Sequence, residues 1–94
     1  MVQKATDSQI ESFLSNYPFW VLSEGKLYRK FKFVDFSEAF AFMTRVALVA
    51  ERESHHPEWC NTYNWVEVNL ITHQVGGITE KDIQLALTME RLAP

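Results

Sequence analysis

Residues 35–53 read DFSEAFAFMTRVALVAERE, and the way this stretch is read decides the fold. Asp35 is a favoured N-cap residue and Glu38 follows three positions on, the spacing that satisfies the free N–H groups of a first helical turn. Phe36, Ala39, Phe40, Met43, Val46, Ala47 and Ala50 then recur at helical spacing, a broad apolar stripe. Phe42 and Val49 form a second, narrower stripe roughly 100° away around the axis. The pattern predicts a long helix 2 whose broad stripe faces a sheet. The narrow stripe of Phe42 and Val49 then needs another partner, in this chain or in a second copy.

On either side of this helix the period changes. Residues 19–23 are apolar and residues 27–33 alternate, with Glu24-Gly25-Lys26 between them as a tight turn. Leu27, Phe31 and Phe33 share one face, with Arg29 as the exception, while Tyr28, Lys30 and Lys32 share the other. Beyond the helix, residues 59–63 and 65–72 read as two strands joined around Asn64, and Val66, Val68 and Leu70 alternate with Glu67 and Asn69. Each hairpin therefore has one dry and one wet face. Thr6 with Gln9 marks the start of a first helix carrying Ile10, Phe13, Leu14 and Tyr17, and Pro18 ends it. Thr79 with Asp82 marks the start of a third, with Ile83, Ala86, Met89 and Glu90 on one side. The order α-β-β-α-β-β-α predicts an α+β fold: one domain, residues 1–94, with a four-stranded antiparallel sheet and helices packed on one face.

Composition narrows the function classes. The 94 residues are 47% hydrophobic and 22% charged, the balance of a globular core and not of a disordered tail. Nine Lys and Arg against twelve Asp and Glu give a net charge of −3, so no basic footprint suggests direct nucleic-acid binding. The lone Cys60 has no partner for an internal disulfide. No apolar run approaches membrane-spanning length, and residues 1–8 lack a secretory signal's apolar segment. A cytoplasmic protein is expected.

The chemistry gathers in one region. His55, His56 and His73 all fall within nineteen positions. His55 and His56 follow the long helix and precede Pro57, while His73 follows the last strand. If those segments meet, three imidazoles share a site with Glu51, one helical turn before His55. A His-His-Pro triplet is also compatible with an ordinary loop. Three histidines and a carboxylate can ligate zinc, but no HExxH-type spacing is present, and the expectation is no metal and no cofactor. Asp82 reads first as a capping carboxylate. Trp20, Trp59 and Trp65 read as core or rim residues.

Glu51, His55-His56-Pro57-Glu58-Trp59, Tyr63, Thr72-His73 and Asp82 resemble the signature of the pterin-4a-carbinolamine dehydratases. Residues 31–36, 42–47 and 50–51 also read like that family, so the resemblance covers nearly the whole chain. Ser54 stands where animal members usually have Asp or Asn, and the turn at Glu24-Gly25-Lys26 is shorter than theirs. The resemblance implies a hydro-lyase that dehydrates 4a-hydroxytetrahydropterin to quinonoid dihydropterin, recycling pterin for aromatic amino-acid hydroxylases. It implies His55 and His73 as acid and base, and His56 for binding and orientation. Glu51 is implied as a partner of a pterin ring N–H or of one histidine. Ser54, Pro57, Thr72 and the backbone around His73-Gln74 are implied in substrate binding, with Trp20 or Trp59 stacking on the flat ring. It further implies a homo-oligomer, a dimer or a tetramer, assembled through helix 2. A non-enzymatic binding module is the alternative, as dimerisation cofactor of a transcription factor or assembly chaperone of another enzyme. Retention of Glu51 and all three histidines favours the enzyme.

Overall fold

Side-chain caps start all three helices in the computed structural model, which describes residues 2–94. Thr6 and Gln9 exchange hydrogen bonds at the start of α1 (Asp7–Asn16). Asp35 accepts from the Glu38 N–H at 2.8 Å to begin α2 (Phe36–Glu53). Thr79 and Asp82 form a reciprocal box at the start of α3 (Glu80–Leu92). Between the helices lie β1 (Val21–Ser23), β2 (Lys26–Lys32), β3 (Glu58–Thr62) and β4 (Trp65–Leu70). The sheet order is β1-β2-β4-β3 and every neighbouring pair is antiparallel. Architecture and element order are those the sequence predicts.

The first hairpin closes at the Ser23–Lys26 pair, with Glu24 at φ 52° and Gly25 at φ 77° between them. Two positive φ values are what a two-residue type I′ turn requires, and Gly25 adopts its value without a Cβ penalty. All four strands differ from expectation at their ends. β1 begins only at Val21, because Phe19 turns to solvent while Trp20 drops into the core. β2 and β3 each run one residue earlier at each end than the pattern predicts. β4 stops at Leu70, and Thr72 instead makes an isolated bridge with Gly77.

The core lies between sheet and helices. Leu27, Phe31, Val66, Val68 and Leu70 from the sheet pack with Ala39, Phe42, Val46 and Ala50 of α2 and with Leu85, Ala86 and Met89 of α3. Here the reading of helix 2 needs correction. Phe42 is only 1% exposed, its ring 4.9 Å from the rings of both Phe31 and Phe33. Phe36 and Phe40, assigned to the sheet-facing stripe, are 50% and 54% exposed, and Ala47 is exposed too. At 100° per residue the buried arc is displaced by roughly 50° from the expected one. Periodicity fixes that a helix has an apolar side; the aromatic pocket offered by Phe31 and Phe33 decides which residue fills it.

Arg29, the exception on the dry face of β2, is also explained. Its guanidinium pairs with Glu90 of α3 and lies 4.0 Å over the Phe31 ring and 5.0 Å over that of Phe19. Trp20 Nε1 donates to the same Glu90 carboxylate at 2.8 Å. The sheet's other face is polar, as predicted: the Tyr28 hydroxyl donates to Glu67 at 2.7 Å, and Lys30 Nζ sits 3.1 Å above the centre of the Trp65 ring. Among the described residues no helix is long and apolar enough to cross a membrane.

Candidate active site

The last turn of α2 sets the site. Ser54 ends the helix in the left-handed region at φ 55°, and the His55 N–H returns to the Ala50 carbonyl at 3.1 Å. This turn carries His55 inward toward the start of α3. His55 Nε2 lies 2.6 Å from Asp82 Oδ1; the His55 side chain is 12% exposed and that of Asp82 is fully buried.

Asp82 is saturated with donors. Its Oδ2 accepts from the Thr79 N–H at 2.9 Å and from the Thr72 hydroxyl at 2.8 Å. The Thr79 hydroxyl lies 2.8 Å from that of Thr72, so with Thr72 donating to Asp82 the Thr79 O–H donates to Thr72. An ionised carboxylate only accepts. The Asp82 partner on His55 is therefore Nε2–H, and Nδ1 is left for other chemistry.

The other two histidines have carboxylate partners as well. His73 Nε2 lies 2.7 Å from Glu58 Oε2, and His56 Nε2 lies 3.2 Å from Glu51 Oε1. Lys26 Nζ donates to the second Glu58 oxygen at 2.7 Å. Hydrogen bonding by Lys26, and then by His73, holds the Glu58 carboxyl below the usual carboxylate range. His56 and Glu51 are both on the exposed surface, whereas the His55–Asp82 pair is largely enclosed.

Thus the segment around 51–58 and the segment around 72–82 do meet, joined by Asp82 on one side and Glu58 on the other. Glu51 pairs with His56 on the surface. Two expected substrate contacts are corrected. Thr72 is buried with its hydroxyl committed to Asp82 and Thr79, and its N–H is bonded to the Gly77 carbonyl. Trp20 is 2% exposed between Phe13 and Phe31, with its N–H on Glu90, so its rings have no open face for a ligand. Trp59 is half-buried against the core, Pro57 is half-buried, and Ser54 and Gln74 are exposed. A groove of about 430 Å³ runs between α2 and α3 beside His55, with Arg52 and Lys81 among its lining residues.

The roles of Asp82 and Glu58 as histidine partners were not visible in the sequence. Asp82 carried a signal, since a carboxylate at the third helical position announces a cap, but the cap uses Oδ2 and leaves Oδ1 for His55. Glu58 carried none beyond following Pro57.

These features define a small α+β domain with carboxylate-backed imidazoles at one end of its sheet, the class of site that moves protons. Residues 3–92 match the family model described as pterin 4 alpha carbinolamine dehydratase. The chain is 50% identical over 93 residues to a Solibacter usitatus protein provisionally named pterin-4-alpha-carbinolamine dehydratase, covering 99% of this chain and 98% of the relative. A Synechococcus protein with the same provisional name is 47% identical, with 98% and 99% covered. The fold of this chain is similar to the crystal structure of a transcriptional coactivator/pterin dehydratase from Brucella melitensis, with a TM-score of 0.91, 44% identity, and 98% and 100% of the chains covered. The chain belongs to the pterin-4a-carbinolamine dehydratase family, whose members are hydro-lyases.

Proposed function

We propose that this chain dehydrates 4a-hydroxytetrahydropterin to quinonoid dihydropterin, with His55 and His73 as its proton carriers. The observation that carries the reading is that these two imidazoles stand on adjoining segments, each held through Nε2 by a carboxylate, Asp82 or Glu58. Family membership supports the substrate class.

The reaction needs two proton movements. Hydroxide is a poor leaving group, so an imidazolium gives its proton to the C4a hydroxyl as the C4a–O bond breaks and water departs. A neutral imidazole takes the proton from the neighbouring ring nitrogen, whose electron pair forms the C=N bond. The two rings finish with their protonation exchanged and are reset through solvent. An imidazole suits both roles because it exchanges protons near neutral pH, and such assistance typically contributes roughly 10²–10⁴-fold. In this reading His56 with Glu51 orients the pterin, and Ser54, Pro57, Gln74 and Trp59 line its place. The reaction would recycle pterin for aromatic amino-acid hydroxylation in the cytoplasm, with no metal or redox cofactor.

The test is a direct dehydration assay with chemically generated 4a-hydroxytetrahydropterin. Acceleration over the spontaneous reaction that is lost in His55→Ala and His73→Ala supports the reading. No acceleration by the folded parent removes it.

Assembly is a further part of the proposal. The exposed face of α2 carries Phe36 and Phe40, whose rings pack together at 5.7 Å, and Leu48 at 70% exposure. An apolar face of this kind on so small a domain supports a homo-oligomer through α2, now by this face and not by Phe42. The same face suits a second reading, a binding module for another protein, and the description of the Brucella protein as a coactivator favours keeping it. Light scattering distinguishes them: the homo-oligomer requires a parent larger than a monomer and a Phe40→Glu variant of lower mass, whereas a monomeric parent leaves the face for another protein.

A further inference from the structure

Glu58 opens β3 directly after Pro57, paired with Asn69 of β4, which in turn pairs with Tyr28 of β2. Glu58 therefore shares the open face of the sheet with Lys26 at the start of β2. β4 ends at Leu70, and Lys26 reaches across that end to Glu58. Both carboxylate oxygens are engaged, Oε1 by Lys26 Nζ and Oε2 by His73 Nε2, each at 2.7 Å. Stability does not explain this arrangement. The His73 and Glu58 side chains are 73% and 42% exposed, and ion pairs this open contribute little to folding. What the pair does fix is the ring. A carboxylate that already accepts from Lys26 can only accept from His73, so the ring proton is on Nε2.

We propose that Glu58 is a positioning residue for His73: by taking the Nε2–H it orients the ring and leaves Nδ1 as the nitrogen that gives or takes the proton in dehydration, while Lys26 fixes the carboxylate. The inference rests on the dehydratase reading above. Glu58 touches no reacting atom and acts only through the imidazole.

The test is a double-mutant cycle on the whole protein, with chemically generated 4a-hydroxytetrahydropterin as substrate. Glu58→Ala lowers kcat roughly tenfold, a part of the roughly 10²–10⁴ that a positioned acid or base contributes, and moves KM by less than about twofold. In a His73→Ala background the same substitution costs almost nothing further, because the ring through which it acts is gone. Equal losses in both backgrounds assign Glu58 to structure and overturn the proposal. Glu58→Gln combined with Lys26→Met keeps an acceptor for the Nε2–H and recovers part of the kcat; Glu58→Ala combined with Lys26→Met does not.

A second measurement is independent of turnover. Ring ¹⁵N–¹H correlation spectra of the parent show the His73 proton on Nε2, and Glu58→Ala speeds its exchange with water. If the parent does not accelerate dehydration, the enzymatic reading falls while the spectra still decide the hydrogen bond. A ring carrying its proton on Nδ1 overturns the inference even in an active enzyme.

Discussion

His55 and Asp82, 27 positions apart in the chain, meet at 2.6 Å with the carboxylate fully enclosed. One oxygen of Asp82 caps α3 while the other holds the imidazole, so the start of a helix and the orientation of a candidate proton carrier depend on a single side chain. Asp82→Ala strands the Thr79 N–H and the Thr72 hydroxyl together with His55. We expect it to cost about 2 kcal/mol or more, the scale of leaving buried donors unmet, and to lower dehydration as well. Urea unfolding and kcat on the same preparation check both.

His55→Ala and His73→Ala should each slow dehydration on the order of 10²-fold while leaving the domain folded. The double variant should approach the spontaneous rate. Circular dichroism establishes the fold, and near-parental kcat in both single variants and the double would end the mechanism. Activity should also survive chelators, which a metal-dependent reaction would not.

The corrected orientation of α2 separates two phenylalanines only two positions apart. Phe42→Ala should destabilise the domain by about 3–5 kcal/mol, the range for emptying a packed aromatic site. Phe40→Ser should leave the fold of the chain intact and act on association alone. Unfolding midpoints combined with light scattering decide, and the opposite pattern would restore the reading in which Phe42 is the outward residue.

Glu24 holds φ 52° beside Gly25 in the first hairpin. Asn adopts positive φ more readily and precedes Gly in the favoured type I′ pair. Glu24→Asn should raise stability by about 0.5 kcal/mol, by easing the cost of holding a left-handed residue in the folded turn. Thermal unfolding measures it, and a lower melting temperature would contradict the turn assignment.

Two groups give stability a pH dependence of opposite sense. Glu58 lies below its usual value of 4.5 in the folded chain, chiefly through Lys26 and then His73. Its contribution is complete above the unfolded value and is lost as pH falls through the folded one. Tyr28 is raised above its usual 10.0, first by its hydrogen bond to Glu67 and then by burial. Its contribution is present below 10.0 and is lost as pH rises through the folded value. Unfolding midpoints against pH should show a slightly shallower acid slope in Glu58→Gln, as an open pair allows, and a shallower alkaline one in Tyr28→Phe.

The legible features were the local ones. Thr6 with Gln9, Asp35 with Glu38, and Thr79 with Asp82 are pairs three residues apart whose hydrogen bonds close within one turn, so spacing alone identifies them. Alternation in β2 and β4 likewise announced two-faced strands. The rotation of α2 was not legible, because its apolar residues span more of the circumference than the sheet can cover and the choice lies with Phe31 and Phe33. The histidines could be singled out as residues, and their carboxylates could not: Asp82 meets His55 only when α3 packs beside the end of α2, and Glu58 meets His73 only when β3 pairs with β4. Trp20 is the core residue its type suggests; the stacking role implied by resemblance fails because its indole follows Glu90, 70 positions away.

The order β1-β2-β4-β3 has a consequence for how the chain arrives at this state. Each hairpin closes over two residues and α2 is built from near neighbours, so these pieces form from contacts that cost little loop entropy. The ladder that joins them, from Leu27 with Leu70 to Lys32 with Trp65, pairs residues separated by all of α2 and β3. That closure must be met before the central pairing rewards it. The two hairpins therefore dock late, and the Lys26–Glu58 contact, which joins β2 to β3, assembles only at that step.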